Sequence, residues 1–257
     1  MDLSIDLNGG QLAGRDLSNR DLSGVDLRGA NLYSTDLFQA NLQRANMAGA
    51  DLSLANLTRA NLSNAILTGA TFNHTVFDGA NLSFVAMPGV DLSWERLRQV
   101  NLAGCDLSGA QLISAQLVDA DLSGANLSRA DLSEANLRGA TLIDANLDSA
   151  VMIRTNLTWA NLSHLRLHGI DFECALLIGT NLVGTRWTLV SMVGVNLSFA
   201  QLEDADMTGL TDISFANFSN TSLLSSVFLP KGFGKIDSWP AGVWPDTLWP
   251  EGYGPIG

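Results

Sequence analysis

The chain has 257 residues, of which 26 are acidic and 14 basic, for a formal net charge of −12. That balance excludes general nucleic-acid binding, which needs a basic stripe, and suits a soluble surface or a basic partner. No stretch is long and apolar enough to span a bilayer, and Met1 to Asp6 lacks the basic start and apolar core of a secretory signal, so no membrane contact is expected.

In chain order, the first regular feature is a period. From Leu7 to Met207 every fifth residue is a large apolar side chain, without insertion or deletion. Most are Leu; Met47, Phe72, Phe77, Met87, Met152, Phe172, Trp187, Met192 and Met207 are the exceptions. Two residues before each sits a small one, usually Ala, and between them usually Asp or Asn, as in Ala50-Asp51-Leu52. A repeat that fills a chain decides its architecture first. Five matches neither the helical period of ~3.6 nor the strand period of 2. Within one unit, however, the three residues alternate in, out and in, as in a short strand. The remaining two must turn the chain. The second of them is often Gly, as at Gly24, Gly49 and Gly124, which supplies a positive φ. Where that position is Arg44, Arg59 or Trp94, a different turn type is expected. Strand and corner in alternation make a coil whose turns stack at ~4.8 Å as parallel strands.

The Ala-Asp/Asn-Leu-x-x unit resembles the pentapeptide-repeat family, and the resemblance covers about residues 2–229. It implies an all-β fold, a right-handed quadrilateral parallel β-helix with four units per coil and about eleven coils. Residues 1–229 form the solenoid on this reading, with a regular register over 7–210.

Three departures follow along the chain. Gly10, Arg15, Arg20 and Val25 stand where Ala belongs, so a loose, polar first coil is expected. Glu95 also occupies an inward Ala position, flanked by Val85, Val90 and Val100. An unpaired buried carboxylate is costly. The coil is therefore expected to bulge at Trp94-Glu95-Arg96 and turn Glu95 outward; the alternative is pairing with Arg96 or Arg98. After Leu210 the apolar positions move on by one, to Ile213, Phe218, Leu223 and Phe228, which places one extra residue near Thr211. Residues 230–257 then hold Trp239, Trp244 and Trp249, each followed by Pro, and read as a capping tail or as an aromatic docking or dimer surface.

No catalytic constellation is visible, and an enzyme is not expected. His74, His164 and His168 fall at outward positions, and no Cys/His group has zinc-ligand spacing. No cofactor is implied. Cys105 falls inward and Cys174 at an outward corner in a distant coil, so no disulfide is expected, and a reducing, cytoplasmic setting fits. His164, Arg166 and His168 could meet Arg186 one coil later as a small basic spot.

Folding the sequence at 20 residues per coil sorts the surface by side. The side of Leu52, Leu92, Leu132 and Phe172 carries Asp51, Asp91, Asp131, Glu134, Asp171 and Glu173 against Arg154. Its aspartates recur every second coil, about 10 Å apart. The side of Leu42, Leu62 and Leu82 starts its strands with Asn41, Asn61, Asn81 and Asn101, then Asn161 and Asn181, an asparagine ladder. A third side gathers Trp159, Leu176, Ile178 and Phe199, a partner surface or the place where the tail packs.

Two functions compete. One is a non-catalytic rod, monomer or dimer, that binds another protein through one side. The other follows from the resemblance: some relatives mimic DNA, bind DNA gyrase or another type II topoisomerase, and modulate it or protect it from quinolone-like poisons. The acidic side supports this; its charge density lies well below one charge per ~1.7 Å of duplex.

Overall fold

The structure, a computed structural model, describes residues 8–226. The tail expected to cap the solenoid lies outside the described residues. Pairing is parallel and 20 residues apart, beginning with Gln11↔Asn31, Asp16↔Asp36, Asp21↔Asn41 and Asp26↔Asn46. Four five-residue units therefore close one coil. We number the sides by their central residues: side 1 holds Leu52 and Leu132, side 2 Leu57 and Leu137, side 3 Leu62 and Leu142, and side 4 Leu67 and Leu147. Three short strands extend beyond single pairs: β1 (Arg166–His168), β2 (Arg186–Ser191) and β3 (Asp206–Asp212), in a parallel sheet of that order.

A five-residue unit holds because each of its five amides finds an acceptor. Asp51 N–H donates to the Ala30 carbonyl of the coil before (3.0 Å), and Leu52 N–H to the Thr71 carbonyl of the coil after (2.9 Å). Ser53 N–H donates to its own Asp51 Oδ1 (3.0 Å). Leu54 N–H donates to the Asn73 carbonyl (2.8 Å), and Ala55 N–H closes the turn on the Leu52 carbonyl (2.9 Å). The Asp/Asn preference thus has a local cause: its carboxylate or amide oxygen serves the one amide that neither neighbouring coil can reach. Asparagine adds a second bond along the stack, as from Asn41 Nδ2 to Asp21 Oδ1 and from Asn61 Nδ2 to Asn41 Oδ1.

The central leucines fill the tube. Leu27, Leu32, Leu37 and Leu42 are fully buried, and so is nearly every equivalent as far as Leu223. Each contributes roughly 1.5–3 kcal/mol of burial before its entropic cost. At the small inward positions, threonine is tolerated because its hydroxyl has a built-in acceptor. Thr75, Thr155 and Thr180 donate to the carbonyls of Leu52, Leu132 and Leu157. Cys105 uses the same slot, its thiol donating to the Leu82 carbonyl, and burial raises its pKa to about 11. Arg15 and Arg20 are exposed at the start of the tube, where Leu12 and Leu17 are only half-buried.

The corners correct one expectation. Arg44, Arg59 and Trp94 do not adopt another turn; their φ values are 57°, 58° and 68°, the left-handed conformation their glycine counterparts also have. The stack imposes it. Their amides donate to Ser63, Asp78 and Ile113 in the next coil, and the turn closes behind them as elsewhere. Left-handed backbone costs a non-glycine residue roughly 1–2 kcal/mol, and neighbouring coils that over-determine it make it tolerable.

The extra residue lies in β3. Pairing runs at 20 for Arg186↔Asp206, becomes 21 at Ser191↔Asp212, and stays 21 for Asn196↔Asn217 and Gln201↔Ser222. Gly209 sits against the backbone of β2, where a Cβ would meet the Trp187 carbonyl and stand 2.7 Å from Thr188 Cα.

Two joints of the ladder are open. Side 1 pairs Asp51↔Thr71 and Asp91↔Gln111, but Thr71 and Asp91 do not pair. Side 4 pairs Asn126↔Asn146, β1 pairs Arg166↔Arg186, and Asn146 and Arg166 do not pair. Sides 2 and 3 have no such gap among the described residues. Each gap borders coils that carry oversized inward residues: Phe72, Val85, Val90 and Glu95 at the first, Leu165 at the second.

Candidate functional site

Side 1 is the site the sequence proposes, and its geometry follows from the coil. Asp91, Asp131 and Asp171 stand in one column, separated by Gln111 and Val151. Every second coil puts their Cα atoms about 10 Å apart. Asp51 is the first aspartate of the same column, two joints before Asp91, with Thr71 between them, whose hydroxyl donates to Asp51 Oδ1 (3.0 Å). Glu134 lies on the neighbouring corner row and forms an ion pair with Arg154 (3.5 Å). The Ser114 hydroxyl also faces Glu134, 3.4 Å away. Glu173 is exposed beside Asp171, which accepts its amide (3.0 Å).

These aspartates are not free charges. Asp51, Asp91 and Asp131 each accept the amide of the serine two residues on, at 3.0, 3.0 and 2.9 Å. For Asp51, the Ser53 hydroxyl, then the Ser53 amide, hold the carboxyl below its ordinary range. Each carboxylate of the column is turned toward its own corner. The aspartates therefore both cap turns and carry charge, a double role that the repeat pattern alone does not disclose.

Glu95 overturns both readings offered for it. The coil does not bulge: Glu95 N–H closes a regular turn on Leu92 (3.2 Å), and Trp94 keeps the ordinary corner φ. The side chain stays inside, 6% exposed. It pairs with neither arginine; Arg96 forms an ion pair with Asp78, and Arg98 N–H donates to Asp78 Oδ1. Instead Glu95 Oε1 accepts His74 N–H of the preceding coil at 2.7 Å. In a regular joint that amide would meet the carbonyl of Ser93. The carboxylate thus replaces a ladder carbonyl where the coils have parted. Burial pushes the Glu95 pKa up, against the lowering effects of the His74 amide and the His74 charge.

The parted coils enclose a cavity of about 420 Å³ lined by Leu67, Phe72, Met87, Pro88 and Val90, with Thr71, Asn73 and Asp91 as polar neighbours. The sequence reading missed it, although the run of Val85, Val90, Glu95 and Val100 in slots for alanine was its signal.

The apolar group falls on side 2. Trp159 and Phe199 occupy its corner row two coils apart, with Leu176 and half-buried Ile178 in the unit between. Trp159 is exposed and lies over Gly179, where a Cβ would strike its ring. Phe84 lies over Gly104, and His164 over Gly184, in the same way. A corner side chain leans on the next coil, so a large one fits where glycine follows 20 residues later. On side 4, Arg166 and Arg186 are cross-strand partners and His168 pairs with Thr188, which forms the basic spot. Among the described residues, no group of three or more His, Cys, Asp or Glu side chains is placed to hold a metal ion, and no helix is long and apolar enough to cross a membrane.

Comparison with known proteins gives a consistent family. Among solved structures, the chain is similar to HetL, a pentapeptide repeat protein involved in heterocyst differentiation regulation from the cyanobacterium Nostoc sp. strain PCC 7120. The two are 29% identical over 82% of this chain and 88% of that one, with a TM-score of 0.39. It is similar at 15% identity to full-length QnrB1, a plasmid-mediated fluoroquinolone resistance protein, over 79% of this chain and 92% of that one (TM-score 0.38). A pentapeptide repeat protein from the Arabidopsis thaliana thylakoid lumen is 27% identical over 50% of this chain and 68% of its own (TM-score 0.18). No curated protein matches the chain. The model for pentapeptide repeats matches repeatedly, over residues 6–43, 21–59, 35–73, 55–93, 96–129, 130–169 and 170–209. With the 20-residue coil and its inward leucines, that match makes the chain a member of the pentapeptide repeat family.

Proposed function

We propose that the protein is a non-catalytic, cytoplasmic interaction rod that binds a protein partner through side 1. The coil is taken as right-handed and about eleven turns long, as the family resemblance implies. The observation that carries the reading is the column Asp91, Asp131 and Asp171: outward carboxylates at a fixed interval on a ladder that is continuous from Asp91 to Asp171. Such a surface is pre-organised, so a partner with basic groups at matching spacing loses little freedom of the rod on binding. The partner would be captured from the source cells on the immobilised full chain. Reversal of Asp91, Asp131 and Asp171 to Lys is expected to abolish capture, and replacement by Asn, which keeps an oxygen for the Ser93, Ser133 and Glu173 amides, to weaken it while leaving the melting curve within a degree or two of the parent. Capture that survives the triple reversal overturns the reading.

A second reading, DNA mimicry toward DNA gyrase, is favoured by the same column and by the net charge of −12. A spacing of about 10 Å along one side is sparse beside one charge per ~1.7 Å of duplex, so mimicry would need the other sides as well. Gyrase supercoiling titrated with the protein, with and without a fluoroquinolone, at two salt concentrations tests it. Salt-sensitive inhibition or protection supports mimicry; no effect at micromolar protein refutes it.

A further inference from the structure

We propose that the open joint of side 1 is a socket for one basic side chain, arginine or lysine, presented by the protein that docks on that side. The inference rests on side 1 being the interaction surface.

The joint has the parts such a side chain needs. Among the described residues, the amides of Gly69, Phe72 and Asp91 donate to no carbonyl across it, and the carbonyls of Ala70, Pro88 and Asp91 receive no amide. In the closed joint one coil earlier the equivalent groups are paired, as in Gly49 N–H to the Thr68 carbonyl and Leu52 N–H to the Thr71 carbonyl. The carbonyls without donors and the Asp91 carboxylate supply acceptors at the mouth, and the carboxylate gives it negative charge. Its apolar walls, Leu67, Phe72, Met87 and Val90, suit the methylene stem of Arg or Lys. A guanidinium brings five donors to this arrangement. An apolar side chain would leave the carbonyls without donors, and an anion would meet the Asp91 carboxylate. The opening is bounded, because Ile66↔Ala86 and Val76↔Arg96 still pair on either side of it. It therefore admits a side chain and not a strand.

The test is an amide NMR titration of the isotope-labelled full chain with acetyl-Gly-Arg-Gly-amide and with the citrulline peptide of the same length. Expected are saturable shifts at Gly69, Phe72 and Asp91 with the arginine peptide, absent with citrulline. Asp91→Asn should weaken the arginine response at least fivefold, and Asp131→Asn should leave it unchanged. Equal responses to both peptides, or shifts of the same size at Asp131 and Asp171, overturn the socket. The titration needs no partner. A flat titration therefore overturns the socket even where capture succeeds, and failed capture overturns the reading of side 1 even where the titration is positive.

Discussion

The coils around Leu112–Leu142 and those around Leu67–Leu92 are built from the same five-residue unit and behave differently. In the first stretch the inward slots hold Ala110, Ala115, Ala120, Ala125, Ala130 and Ala135. The ladder there is continuous on side 1 from Asp91 to Asp212. In the second, Val85, Val90 and Glu95 crowd the slots above Phe72 and Phe77, whose rings already lie 5.4 Å apart, and the coils part on one side. A tube of fixed width accepts one large residue per unit when its neighbour is alanine. A second large residue must be accommodated along the axis, and hydrogen bonds between coils are what yields. The side that parts carries the acidic column, so the packing conflict is also what gives that face a concavity.

The largest expected effect breaks the regular stretch. Leu132→Asp buries a charge with no partner in the closed tube and should cost about 4 kcal/mol or more; an unchanged denaturation midpoint would refute the register described here. Next, Phe172→Ala and Phe72→Ala compare closed and open joints. Phe172 is fully buried against Trp187, and its loss should cost about 3–5 kcal/mol, with Phe72→Ala less by about 1 kcal/mol or more, because a parted joint relaxes into the cavity. Equal losses would mean that the joint is as tightly packed as the rest. Gly209→Ala should cost about 1–3 kcal/mol, since the new methyl meets the backbone of β2 rather than a mobile side chain.

The smallest effect concerns pH. Burial raises the folded pKa of Glu95, so its contribution to stability is fully present below the ordinary glutamate range and is lost as pH rises through the raised value. Glu95→Gln keeps an oxygen for His74 N–H and removes that loss. The variant should melt slightly above the parent at pH 7, with the difference vanishing near pH 4. Asp51 runs the opposite way: its lowered pKa gives stability that is present at neutral pH and is lost as pH falls through the folded value. Melting curves across this range check both signs; a Glu95→Gln variant that melts below the parent at pH 7 would mean that the carboxylate stabilises the joint.

Much of the molecule was legible from residue order. The inward leucines, the aspartates of side 1 and the cluster of Trp159, Leu176, Ile178 and Phe199 follow from counting, because a strict period leaves each side chain one place on the coil. The corner conformation of Arg44, Arg59 and Trp94 was misread from residue type. Local preference there is weaker than two neighbouring coils that hold the same amide. Glu95 was misread for a related reason. Its cost was judged as that of an isolated buried charge, and its acceptor role appears only when the next coil has lost a carbonyl.

The sequence by itself determined the unit, the side on which each residue falls and the position of the inserted residue to within a few places, since all three are matters of spacing. Only the tertiary structure decided where the stack holds and where it opens. That depends on the summed volume of side chains from adjacent coils, which are 20 residues apart in the chain and share one cross-section in space.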